Sequence, residues 1–392
     1  RSFQNLMGRT ARSGMHTEGS VIVTDPRLFD NKHDKANGGY YKWRDCIKMF
    51  DSTAAEPCGS TILSLVRDVR IDYETKINGK KIAQYIIDHY EDPNCIVQLI
   101  NQIVSTIHEK YPKKSTDGFV DTMTAHKKTM EAIENDLCFA FSNARHIDND
   151  MVATKICRNT LAYYMATDDE KTLLESIFNA ITIKIGKLSP SQIENYARTM
   201  VGIDLSTEIE NWIHENQLTQ QQYTNEQLME MIVSFFTTTH LIKKGSMCFE
   251  DIVQMWIDGR SFSEMNERVS LPILDLEDIC NKTISYELSF FIGSIIDVVE
   301  SNEEEASKTL HSLLLLQRRT KYGVRTETAV SICEKVFNHR PLANLLSEKI
   351  GNNAIAIDRI VRIFKKNKEE ILDILFDYPT YFSDRVKNMC GN

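Results

Sequence analysis

No apolar run in this chain approaches the roughly 20 residues that span a bilayer. The longest candidates, Phe290–Val299 and Leu313–Leu316, are too short or are interrupted by polar residues. The opening RSFQNLMGRTARSG is polar and glycine-punctuated, unlike the basic-then-apolar pattern of a secretory signal. The expectation is a soluble, cytoplasmic protein with no membrane partner. CxxC pairs are also lacking. Nine cysteines stand apart at 46, 58, 95, 138, 157, 248, 280, 333 and 390, and ten histidines are equally dispersed, so the sequence supports no zinc or other metal site. An odd, unpatterned cysteine count reads as reduced core thiols in a reducing compartment. Fixed-period repeats and low-complexity stretches are missing, which excludes solenoids and biased linkers. No Gly-x-x-x-x-Gly-Lys-[Ser/Thr] phosphate loop is encoded. An uninterrupted basic coat is excluded too, because the net charge is −9, although a local basic track remains open.

What is present is a 392-residue chain of ordinary globular composition, 42% hydrophobic and 26% charged, long enough for two or three domains. Its first thirty residues hold a glycine-marked turn and a β-rich run, Ser20–Thr24, closed by Asp25-Pro26. From about Tyr40 onward the pattern is helical. Ser189-Pro190-Ser191-Gln192 is a capping box with proline at the first helical position. Thr207-x-x-Glu210 and Thr224-x-x-Gln227 repeat the signature. Leu228, Met231, Ile232, Phe235 and Phe236 recur at helical spacing, as do Leu310, Leu313, Leu314 and Gln317. Gly245, Gly259, Gly323 and Gly351 mark helix stops. The predicted architecture is mainly α: a strand-bearing end at 1–35, a connector or small mixed subdomain at 36–80, a helical domain at 81–245 and a C-terminal helical bundle at 246–392.

The opening string is Phe3-Gln4-Asn5-Leu6-Met7-Gly8-Arg9-Thr10-Ala11-Arg12-Ser13-Gly14, followed by Glu18-Gly19 and Val21-Ile22-Val23. Two arginines three residues apart share one helix face, so both guanidinium forks can converge on one phosphate. This string resembles motif VI of superfamily 2 (DEAD/DEAH-type) ATP-dependent helicases, a polar residue, two spacers, then Gly-Arg-small-small-Arg. The family more often carries Gln or His where Asn5 stands, and Gly where Ala11 stands. The resemblance implies that Arg9 and Arg12 are catalytic fingers on the γ-phosphate, that Asn5 and Gly8 adjoin the nucleotide, and that residues 1–35 end the second RecA-like lobe.

Two further stretches resemble the same family. Val253-Gln254-Met255-Trp256-Ile257-Asp258-Gly259-Arg260-Ser261-Phe262-Ser263-Glu264-Met265 is similar to a helix-turn-helix segment of helicases with a C-terminal ratchet bundle. By itself it is also a plain helical hairpin with a buried Trp256. Gln317–Val324 and Phe337–Ala343 are similar to stretches of bacterial helicases, among them ones beside nuclease partners in anti-phage defence. In the family the phosphate loop and the DExx acids lie N-terminal to motif VI, so the chain is expected to be a fragment, a split product or part of a longer protein. ATP and Mg²⁺ would be held mainly outside it. The other partners implied are a single nucleic-acid strand, DNA ahead of RNA, the rest of the motor and a nuclease or effector subunit. The alternative is a non-catalytic helical scaffold that binds a protein.

Four cations, Arg318, Arg319, Lys321 and Arg325, lie within eight residues, with no acid in sequence closer than Glu327. They are the candidate strand contacts outside the motor, against the plain reading of cations attracted to a helix C-terminus. His311 and His339-Arg340 have no second ligand at helical spacing and read as structural or solvated. Glu303-Glu304-Glu305 suits a helix start. Tyr163-Tyr164 and Phe290-Phe291 read as core rather than as base-stacking pairs.

Overall fold

The structure is a computed structural model, and it describes residues 33–36, 38–49, 59–71, 75–144, 148–239, 249–302, 307–351 and 356–391. Helix accounts for 78% and strand for 1%, so the fold is mainly α. Among the described residues no helix is long and apolar enough to cross a membrane. The chain divides into two compact units, Arg1–Ser60 and Thr61–Asn392. The first contains α1 (Gly38–Met49), where Arg44 lies 5.3 Å from the Tyr41 ring. The strand expected at 20–24, the acidic run 303–305 and the boundary at 245/246 lie outside the described residues.

Three apolar cores succeed one another in the second unit. The first gathers α2 (Thr61–Ser64), a two-stranded antiparallel hairpin of β1 (Val69–Arg70) and β2 (Lys76–Ile77), α3 (Gly79–His89), α4 (Cys95–Lys110) and α5 (Asp117–Asn143). It also takes in α6 (Asn149–Arg158), α7 (Leu161–Met165), α8 (Asp168–Ile185) and α9 (Pro190–Thr199). The second is built from α10 (Ile203–Glu215), α11 (Asn225–Thr239), α12 (Phe249–Ile257), α13 (Phe262–Val269), α14 (Ile273–Asp278), a π-helical stretch Ile279–Leu288, α15 (Ser289–Asn302) and α16 (Ser307–Tyr322). The third joins α17 (Glu327–Lys335), α18 (Arg340–Ile350), α19 (Ile357–Lys366), α20 (Lys368–Ile374) and α21 (Thr380–Cys390).

Local chemistry sets many of these boundaries. α8 starts with a reciprocal capping box between Thr167 and Glu170, carries three acids in its first turn, and buries Leu174, Ile177, Phe178, Ile181 and Ile185 on one face. Ser189 and Gln192 form the expected box on α9, and Thr224 and Gln227 form it on α11, with bonds of 3.0 and 3.2 Å. Gly259, Gly323 and Gly351 each follow a helix in the left-handed region. Six of the described cysteines, at 95, 138, 157, 280, 333 and 390, are buried and free. Burial pushes the Cys138, Cys157, Cys280 and Cys333 thiols up to about 12, so they pack as apolar groups.

Thr207 departs from expectation. It lies inside α10, where its hydroxyl donates to the Ile203 carbonyl at 2.9 Å. The N-cap lies five residues earlier, at Gly202, because a side chain from another helix caps the first turn. Glu134 of α5 accepts from the Ile203 amide at 2.8 Å, from the Tyr90 hydroxyl at 2.7 Å and from Lys184 Nζ at 3.0 Å. Lys184 also donates to Asp204 at 2.7 Å and lies 4.8 Å from the Tyr90 ring. Burial alone would lower the Lys184 pKa, but Glu134 and Asp204 outweigh it and hold it above the ordinary lysine range. Gly202, at φ +83°, admits this arrangement: a Cβ there would sit 2.8 Å from Glu131 Cγ and 2.9 Å from Glu134 Oε2. Glu131, one turn before Glu134, is pushed up to about 7 by burial.

Candidate functional site

Asn5, Gly8, Arg9 and Arg12 lie outside the described residues. The three downstream stretches Val253–Met265, Gln317–Val324 and Phe337–Ala343 do not, and the fold brings them to one place. α12 presents Trp256 and stops at Gly259, after which Ser261 and Glu264 form the capping box that starts α13. α16 stops at Gly323, and His339 caps α18 by accepting from the Leu342 amide through Nδ1 at 3.3 Å. Arg340, at the first position of α18, reaches back across both turns. Its guanidinium lies 4.1 Å from the Trp256 ring centroid and 5.6 Å from that of Phe262. Its Nε donates to the Gly323 carbonyl at 2.8 Å, and its Nη2 donates to the Arg260 carbonyl. Trp256 Nε1 in turn donates to the Thr320 carbonyl at 2.7 Å.

Residues up to 80 positions apart in sequence thus close one junction. Burial lowers the Arg340 pKa, yet an arginine keeps its proton at neutral pH. Its charge is met by carbonyl dipoles and ring faces rather than by a carboxylate. A desolvated cation–π contact of this kind contributes about 2 kcal/mol. Gly323 is required at the centre, with φ +64° and Trp256 Cε2 only 2.5 Å from where a Cβ would stand. Gly323→Ala is expected to cost about 3 kcal/mol, combining left-handed backbone strain with overpacking. Chemical unfolding measures this, and a variant within about 0.5 kcal/mol of wild type would show that the junction yields.

A cleft of about 580 Å³ opens beside the junction, walled by Trp256, Phe262, Tyr322 and His339 and edged by Asn281 and Asn338. Ser285 of the π-helical stretch closes one side by donating to the Lys321 carbonyl at 2.6 Å. Flat rings with two amides at the edge suit a planar polar ligand. Burial lowers the His339 pKa, which fits a neutral ring whose Nδ1 accepts the cap hydrogen bond. His339 therefore has the structural role expected of it.

The basic corner is not the acid-free cluster that the sequence suggests. Arg318 holds Glu334 of α17 through both nitrogens of its fork, Nε at 2.9 Å. Arg325 donates to Glu348 of α18 and to the Asp258 carbonyl, each at 3.2 Å. Arg319 points inward with Nε 3.4 Å from the Val324 carbonyl, and burial lowers its pKa. Lys321 is exposed and lies 5.4 Å from the Tyr322 ring. The partners lie 16 and 23 residues away in sequence, beyond the reach of local spacing. Two of the four cations, Arg318 and Arg325, are therefore engaged in holding this segment to α17, α18 and the end of α12, and Arg319 is turned in on its own turn.

The aromatic pairs divide, one ring in and one out: Phe291 is buried while Phe290 is 42% exposed, and Tyr164 is 76% exposed beside a half-buried Tyr163. The Glu134 network had no local signal beyond two glutamates three residues apart on α5. No protein-family model matches this chain, and no curated protein is significantly similar to it.

Proposed function

We propose that this chain is the C-terminal part of an ATP-dependent superfamily 2 helicase acting on nucleic acid, DNA in preference to RNA. The observation that carries the reading is the opening string from Asn5 to Gly14, with its two arginines three residues apart between small residues. Phosphoryl transfer needs little covalent chemistry from the protein; it needs positive charge placed where the γ-phosphate gains charge. Arg9 and Arg12 supply that charge, with Asn5 and Gly8 beside the nucleotide. The phosphate-gripping lysine and the magnesium-holding acids come from a separate RecA-like lobe, because residues 1–392 contain no phosphate loop. The helical body downstream supplies strand-binding accessory bundles, and a nuclease or effector subunit in anti-phage defence is the wider partner.

The test is ATP hydrolysis in the presence of single-stranded DNA. Residues 1–392 alone are expected to show none, and to support it once joined to a lobe carrying the phosphate loop and acid box. Strand-stimulated turnover by residues 1–392 alone would sink the division of labour between two lobes.

A further inference from the structure

Two cations face each other across the small hairpin. The antiparallel register pairs Val69 with Ile77 and Arg70 with Lys76, so the Arg70 and Lys76 side chains leave the same face. Val69 is buried in the first core, and the alternation turns Arg70 and Lys76 outward, where both are exposed. Like charges directly opposite one another weaken a ladder. Neither has an acidic partner among the described residues.

Among the described residues, the acids nearby are already taken. Asp68 accepts from the Gly79 amide at 3.1 Å. Glu170 accepts from Arg67 at 3.2 Å and from the Thr167 amide at 2.8 Å, and Asp169 accepts from Lys80 at 2.8 Å. Between these groups lies a cleft of about 440 Å³ whose lining includes four cations, Arg67, Arg70, Lys76 and Lys80, and the two engaged acids Asp68 and Glu170. The basic surface continues past the hairpin. Lys114 donates to the Thr75 hydroxyl at 2.7 Å, next to Lys76, and lies 5.1 Å from the Tyr111 ring. That ring is 58% exposed, and the exposed Lys110 and Lys113 flank it in sequence without acidic partners among the described residues.

We propose that this surface binds a single nucleic-acid strand, with Arg70, Lys76, Lys110 and Lys113 on its phosphates and Tyr111 stacked on a base. The inference rests on the strand-binding half of the helicase reading and gives that half a location other than the basic corner. A like-charge pair with no acidic partner among the described residues weakens the fold that carries it, and a polyanion relieves the repulsion on arrival. An isolated phosphate would need only the cleft. An exposed ring among the cations adds what a strand offers and a phosphate does not, a base face to stack on. The rest of the molecule is acidic, with a net charge of −9, so a basic patch stands out to an approaching strand.

The experiment is fluorescence anisotropy of labelled single-stranded dT12 with residues 1–392 at several salt concentrations. An abasic strand of equal length and inorganic phosphate at matched ionic strength serve as the other probes. Arg70→Ala with Lys76→Ala is expected to lower the salt slope by about 1.4, roughly 0.7 for each phosphate that is no longer neutralised. Its melting temperature should equal or exceed that of wild type, since a repulsive pair has gone. Tyr111→Ala is expected to weaken dT12 binding by about 10-fold and leave the abasic strand unchanged. Arg318→Ala with Arg325→Ala should leave the slope where it was. If wild type holds dT12 but the Arg70/Lys76 variant keeps its slope, this surface is not the site, and strand binding belongs elsewhere on the helicase. Should wild type fail to bind dT12 even at low salt, the strand-binding half of the helicase reading fails and this site with it. Competition by inorganic phosphate as effective as that of the strand would overturn the strand in favour of a single-anion site.

Discussion

Arg9→Ala or Arg12→Ala, in a protein that also carries the phosphate-loop lobe, is expected to lower ATP turnover by about 10³-fold or more. Nucleotide affinity should change far less. The two effects separate because the γ-phosphate oxygens gain charge only as the bond to the leaving oxygen stretches. A guanidinium aimed at that position stabilises the transition state more than the bound nucleotide. Replacing either residue by lysine tests the geometry: an ammonium keeps the charge but loses the planar fork, and should restore only part of the rate. Steady-state turnover and nucleotide binding on the same preparations give the answer. Normal turnover in both alanine variants would remove the arginines from the reaction, and the helicase reading with them.

Glu134→Ala is expected to destabilise the fold by about 3–5 kcal/mol, the range for breaking one side of a buried ion pair. The glutamate side chain is 3% exposed and that of Lys184 is 10% exposed. The variant leaves the Lys184 ammonium with only Asp204, which is itself partly open to solvent. It also strips the first amide of α10 and the Tyr90 hydroxyl of their acceptor. The paired change Glu134→Met with Lys184→Met should recover much of the loss, because a well-packed apolar pair avoids the desolvation penalty. Folding raises the Lys184 pKa. Its contribution is therefore complete below the ordinary lysine value near 10.4 and is lost as pH climbs through the folded value. Chemical unfolding at pH 7 measures the first effect, and repeating it at pH values above that ordinary lysine value measures the second. A Glu134→Ala loss under about 1 kcal/mol would mean that water solvates the lysine once the carboxylate has gone.

Capping explains why some helix starts were legible and one was misplaced. At Ser189 and Thr224 donor and acceptor lie within three residues of each other, so the sequence carries the whole interaction. At Ile203 the acceptor is Glu134, 69 residues away, and the local Thr207-x-x-Glu210 pattern drew the N-cap five residues too late, to Thr207 from Gly202. The expectation that the basic corner lacked acidic partners failed in the same way. Four cations close in sequence looked unpaired, and the fold set Glu334 and Glu348 against two of them. The hairpin cations show the converse. Arg70 and Lys76 carry no signal along the chain, and only strand register puts them face to face.

Residue order was enough to specify the helical class, the glycine stops at Gly259, Gly323 and Gly351, the burial of six of the seven described cysteines, with Cys46 half-exposed, and the arginine spacing of the opening string. Each depends on backbone conformation, side-chain polarity or bonds closed within about one helical turn. Which charges are satisfied was settled only by packing. It set Arg340 against Trp256 and Phe262, Lys184 between Glu134 and Asp204, and Arg70 opposite Lys76. Coulombic and ring contacts act over a few ångströms of space whatever the separation along the chain. Their partners exist only once helices far apart in sequence have packed.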